Sequence, residues 1–125
     1  MLFSLCSYLS IAQQPTEESL ANGKSIYQSE CMTCHMENGE GLTGAFPPLA
    51  NSDYFKDDVS KAVKVILKGL EGEVTVNGTT YYGVMDPVPL TNMEVADVLN
   101  YIRNSWGGQA EALTENDIEK LTSDE

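Results

Sequence analysis

Histidine occurs once in this 125-residue chain, tryptophan once and cysteine three times. Basic residues are also scarce: seven Lys and Arg stand against nineteen Asp and Glu, a net charge of -12. Binding to a phosphate backbone draws on a basic patch that releases counterions, so nucleic acid is excluded as a partner. No apolar run approaches the ~20 residues that cross a bilayer, and no transmembrane span is expected. Internal repeats and low-complexity linkers are missing, which excludes solenoids and strings of modules. What is present is ordinary globular material, 42% hydrophobic and 21% charged, at a length that suits one packed domain.

The two ends differ from the middle. Residues 1–12, MLFSLCSYLSIA, carry no charge and lead into the polar run QQPTEES. They read as a signal peptide with Ser10 and Ala12 as the small residues before a cut at Gln13, giving a periplasmic or otherwise exported product. The competing reading is a short apolar element of the folded domain. Cys6 follows Leu5 rather than a small residue, which argues against a lipid anchor. Residues 109–125 form an acidic tail, in which Thr114 and Asp117 are spaced as a weak capping box for a short, loosely docked helix. The domain proper is expected over 13–108.

Within it, Thr16 can cap a helix that places Leu20, Gly23, Lys24, Tyr27 and Cys31 on one face. Gly23 on that face implies a second helix crossing closely. The partner is the helix announced by the Thr91–Glu94 capping box, with Val95, Val98, Leu99, Ile102 and Trp106 at the same offsets until Gly107 and Gly108. Asp57 or Asp58 starts a third helix, with Val59, Ala62, Val63, Ile66, Leu67 and Leu70 inward and Gly69 near its end. Lys56, Lys61, Lys64 and Lys68 give this region four of the seven basic residues. In EVTVNGTTYY, Asn77-Gly78 between β-prone runs signals a hairpin, which explains the Asn77-Gly78-Thr79 sequon better than a glycan does. The fold class is therefore all-α with one small β-hairpin.

Three of the four Cys and His residues lie within five positions, at Cys31, Cys34 and His35. A structural zinc site takes four Cys or His donors, and beyond the cluster only Cys6 remains. A redox dithiol belongs beside βαβ strands, whereas this motif ends a helix. C-x-x-C-H matches a third chemistry: two thiols add across the vinyl groups of haem while the adjacent imidazole binds the iron. The cofactor is then one haem c attached through Cys31 and Cys34. With no second histidine, the other axial ligand is Met, Lys, an exogenous molecule or none. Met32 and Met36 flank the motif on the proximal side, and Met93 sits in a helical first turn. Met85, in the Gly- and Pro-containing loop YYGVMDPVPL, is favoured. Ligation by His35 and Met85 raises the potential and closes the metal to substrate, leaving electron transfer. A five-coordinate haem, as in a sensor or peroxidase-like enzyme, is the alternative, though no distal His or Arg motif supports it. Tyr81, Tyr82 and Trp106 are either pocket residues or plain core.

The ordered set GKSIYQSECMTCH, NGEGLTGAFPPLANSDYF, VILKGL, VNGTTYYGVM and VADVLNYIRNSWGG resembles the class I c-type cytochromes, above all bacterial monohaem domains found free or fused to copper nitrite reductases and quinoprotein dehydrogenases. The resemblance implies crossing N- and C-terminal helices around the haem. It also implies a proline carbonyl, best matched by Pro47 and next by Pro48, that accepts a hydrogen bond from His35 and fixes its tautomer. Leu49 would pack on the haem. Where the family reads M-P-P, this chain has Met85-Asp86-Pro87, and an ionised Asp86 near the iron would favour the ferric form. The expected partners are a redox donor and acceptor with a basic docking surface, met by a monomeric acidic shuttle that is not an enzyme.

Overall fold

The computed structural model describes residues 13–123, so the signal-peptide expectation for 1–12 lies outside the described residues. Helix α1 (Glu17–Ile26) starts where Thr16 Oγ1 accepts from the Ser19 amide at 3.1 Å, with Glu17 and Glu18 favouring the positive helix end. The chain continues through a π-helical stretch, Tyr27–Cys31, into the single turn α2 (Met32–His35). The Met32 amide reaches back to the Tyr27 carbonyl. The extra residue rotates everything after it by about 100° relative to an unbroken α-helix, which the 3.6-residue reading of this segment does not anticipate.

Helix α3 (Ser60–Lys68) has Ala62 and Val63 buried. Asp58 Oδ1 accepts from the Ser60 amide at 3.1 Å, so the carboxylate expected at the helix start caps it from just outside. Gly69, at φ 78°, ends it. Leu70, expected as the last inward residue of this helix, instead opens strand β1 (Leu70–Val76), which pairs antiparallel with β2 (Thr79–Met85). Asn77 and Gly78, both at positive φ, make the two-residue turn. The hairpin is longer than its sequence signal, and Met85, expected in a loop, is its last paired residue, opposite Leu70.

Helix α4 (Asn92–Arg103) begins with the full Thr91–Glu94 capping box. It stops short of Gly107 because polar side chains intercept its last carbonyls: Asn104 Nδ2 donates to Asn100 O at 2.9 Å, and Ser105 Oγ donates to Tyr101 O. Trp106 thus lies outside the helix, at φ 54°. Helices α1 and α4 cross at Gly23, where a Cβ would sit 2.0 Å from the Asp97 carbonyl oxygen. Ser19 Oγ donates to Asp97 Oδ1 at 2.6 Å beside this crossing. Tyr27, Val95, Val98, Leu99 and Ile102 make the main cluster with Ala62 and Val63.

The tail is not loosely docked. Its helix α5 (Glu115–Ser123) buries Ile118 completely in the same cluster. Buried Asn100 donates to Ser19 Oγ and to Leu113 O, both at 3.0 Å, and accepts from the Leu113 amide at 2.8 Å. One amide side chain therefore ties α1, α4 and the approach to α5 together. The acidic composition that suggested a solvated tail describes its outer face alone.

Gly23→Ala should lower stability by ~1–3 kcal/mol despite the better helix propensity of Ala, because the added methyl meets backbone that cannot yield; an unchanged denaturant midpoint would contradict the crossing. At α5, the Thr114 amide and hydroxyl hydrogen-bond the Asp117 carboxylate and hold its pKa below the usual value. A depressed carboxylate pKa stabilises the fold above its unfolded value of ~3.9 and loses that contribution as pH falls through the folded one. Asp117→Asn should therefore flatten the acid limb of the stability profile, and Thr114→Ala should cost ~0.5–2 kcal/mol at neutral pH by chemical denaturation.

Candidate functional site

The main cluster stops short of the hairpin, and a cavity of about 690 Å³ opens between α2, the 45–55 loop, α3, the hairpin and α4. That volume is in the ~300–1,000 Å³ range of cofactor sites. Cys31, Cys34 and His35 all border it, delivered there by the π-to-α transition. Behind them the Tyr27 hydroxyl donates to the Met36 carbonyl at 2.6 Å, pinning the residue where α2 ends. His35 is buried, and its Nδ1 lies 2.8 Å from the Pro47 carbonyl oxygen. A carbonyl only accepts, so Nδ1 carries the proton and Nε2 keeps an open lone pair. Burial lowers the imidazole pKa, partly offset by that carbonyl, which keeps the ring neutral near pH 7.

Cys31 is half-buried and Cys34 exposed. Burial, with smaller contributions from Glu30 and Cys34, pushes the Cys31 thiol up to about 11. It is a thiol at neutral pH.

Met85 borders the same cavity, as do Pro47, Pro48 and Leu49, the last also packing on the main cluster. Met93 is 53% exposed on α4 and lies away from the cavity lining. Tyr81 and Tyr82 line the cavity, whereas Trp106 packs edge-on against Tyr27 and Tyr101 with ring centroids 5.4 and 5.9 Å away. Asp86 and Glu30 are the carboxylates of the lining, and among the described residues no Lys or Arg borders it.

Of the two glycines in the lining, Gly72 escaped the sequence reading, and Gly83 was expected to hold an irregular loop around Met85. They are partners in the hairpin register, between the pairs Val74–Tyr81 and Leu70–Met85. A Cβ at either would meet no protein atom within 4 Å. Their signal was available: once Asn77-Gly78 is the turn, counting outward puts Gly72 opposite Gly83.

The Cytochrome c family model matches residues 20–106. The chain belongs to the cytochrome c family. Cytochrome c-552 of Thermus thermophilus is 39% identical over 114 residues, covering 86% of this chain and 70% of that protein. The cytochrome c subunit of the quinone alcohol dehydrogenase of Gluconobacter oxydans is 34% identical over 104 residues, 79% of this chain but 21% of the subunit. The cytochrome c subunit of gluconate 2-dehydrogenase from Pantoea cypripedii is 31% identical over 111 residues, 82% of this chain and 24% of the subunit. The crossing helices and single hairpin are the class I fold, and Cys31 and Cys34 are the attachment sites of one c-type haem.

The residues of this cytochrome fit that group. The lining is largely aliphatic and aromatic, both thiols reach it, and the paired glycines leave a notch in the β face where a flat macrocycle can approach backbone. Gly83→Val and Gly72→Val should each lower the haem content per chain, read from the ratio of Soret to protein absorbance. Gly44→Ala, also at positive φ and with open space around it but outside the lining, separates backbone strain from filling of the notch. Equal haem loss in all three variants would remove the notch from the account.

Proposed function

We propose that this electron-carrying cytochrome binds its iron between His35 Nε2 and Met85 Sδ and shuttles single electrons between exported redox proteins. When bound, the haem supplies a one-electron ferric/ferrous couple. The observation that carries the reading is the contact from Pro47 O to His35 Nδ1 at 2.8 Å, which presets the imidazole to bind a metal through its other nitrogen. Met85 is supported as the second ligand by bordering the same cavity, where the exposed Met93 has no share. His and Met ligation favours the reduced state, and a cavity closed by protein groups on both sides of the iron leaves no position for substrate. Asp86, next to Met85 and in the lining, offsets part of that effect by stabilising the ferric charge.

Net charge -12 supports steering toward partners with a basic docking face, in complexes that are small and weaken with salt. The dehydrogenase subunits among the relatives support a dehydrogenase as electron donor. Attachment through two thioethers and the apolar N-terminal segment support a periplasmic or otherwise exported protein. The ferric protein should show the weak near-red charge-transfer band of a thioether ligand. Met85→Ala should abolish that band and Met93→Ala should keep it. Rapid carbon monoxide binding by the reduced wild type would reject the closed site in favour of a five-coordinate haem.

A further inference from the structure

The hairpin is attached to the rest of this protein in an unusual way. Its buried residues Val76 and Tyr81, 3% and 6% exposed, stand apart from the main hydrophobic cluster. Its inner face, Leu70–Met85, Gly72–Gly83 and Val74–Tyr81, borders the cofactor cavity instead. A two-stranded hairpin without a packed face is marginal in water, so something must hold this one across the cavity.

At the base it is held by chain continuity through Gly69 and by the Val88 amide on the Ile66 carbonyl at 2.7 Å. Among the described residues, the hydrogen bonds that join residues 70–85 to the rest of the chain are two, both at the tip. The Asp53 amide donates to Asn77 Oδ1 at 2.9 Å, and the Asn77 amide donates to Asp53 Oδ1 at 2.8 Å. This reciprocal clasp joins the hairpin turn to a loop whose neighbouring residues Ser52, Tyr54 and Phe55 all line the cavity. It therefore closes the two walls of the cavity on each other at the end of the hairpin farthest from Met85.

We propose that Asp53 and Asn77 are positioning residues for the cofactor: their clasp holds the β wall shut and limits the water that reaches the haem, and so sets its reduction potential. Solvent access raises the local dielectric and favours the more charged ferric state. Opening the clasp lowers the potential while leaving the Met85 end of the hairpin in place. The inference rests on the proposed His35–Met85 ligation only for that last statement.

The test uses the haem-loaded protein. Asn77→Gly removes the side-chain acceptor yet keeps a residue suited to the turn, and Asp53→Ala removes the other acceptor. Each should speed amide exchange at Val76 and Tyr81 by roughly two- to tenfold, the loss of one water-competed hydrogen bond. Both should also lower the midpoint potential and retain the near-red band. Asp53→Asn keeps both bonds and should behave as wild type. Thr80→Val removes the outer-face contact of Thr75 and Thr80 hydroxyls, 3.2 Å apart, without touching the clasp, and should leave the potential unchanged. Unchanged exchange and potential in both Asn77→Gly and Asp53→Ala would overturn the proposal, and so would Asp53→Asn matching Asp53→Ala. If the wild type itself lacks the near-red band, the ligation reading fails, while the difference in exchange and potential between wild type and variants still decides the clasp.

Discussion

The approach of α1 to α4 at Gly23 is the constraint on which the rest of this cytochrome depends. A helix normally keeps its neighbour 8–10 Å away, axis to axis, according to the side chains between them. With no side chain at Gly23, the Asp97 carbonyl occupies the space a methyl would fill. The depth of that contact fixes how far Tyr27 sinks into the cluster, and Tyr27 in turn pins the end of α2 through the Met36 carbonyl. The motif residues Cys31, Cys34 and His35 lie between these two fixed points. Their place at the cavity edge follows from helix packing some distance away.

Two kinds of wall enclose the cavity. On one side are helices whose faces are shared with the main cluster, through Leu99, Ile102 and Ala62. On the other is a hairpin that has few partners in the protein and directs its apolar residues at the cofactor space. The division suits a redox site. The rigid side carries the imidazole and its carbonyl partner, and the thin side brings a thioether and a glycine notch up to the same space without a second core.

Local chemistry in the sequence was enough for the features set by adjacent residues. The Thr16 cap, the Thr91–Glu94 box, the Asn77-Gly78 turn and the C-x-x-C-H cluster each depend on a few neighbours, and each occurs where its residues suggest. Contact of Pro47 with His35 came from family resemblance, since nothing in the 37–48 loop alone tells which carbonyl points inward. The π stretch was not legible, because an inserted residue leaves the i, i+4 pattern of Leu20, Gly23 and Tyr27 intact up to the point where it acts. The end of α4 was misplaced because Asn104 and Ser105 compete for its carbonyls before the glycines are reached. Met85 was assigned to a loop because Gly83, Pro87 and Pro89 together read as irregular backbone, when Gly83 is one half of a cross-strand pair that faces open space.

The family match ends at residue 106, yet the fold does not. Asn100, in the middle of α4, satisfies its amide through the backbone of Leu113, and Ile118 fills a place in the cluster that nothing else occupies. Trimming this protein at residue 106 would take from Asn100 both of its contacts with Leu113 and open a flank on α4. A junction for a fused module or a tethering sequence therefore belongs beyond α5 (Glu115–Ser123) and not before it.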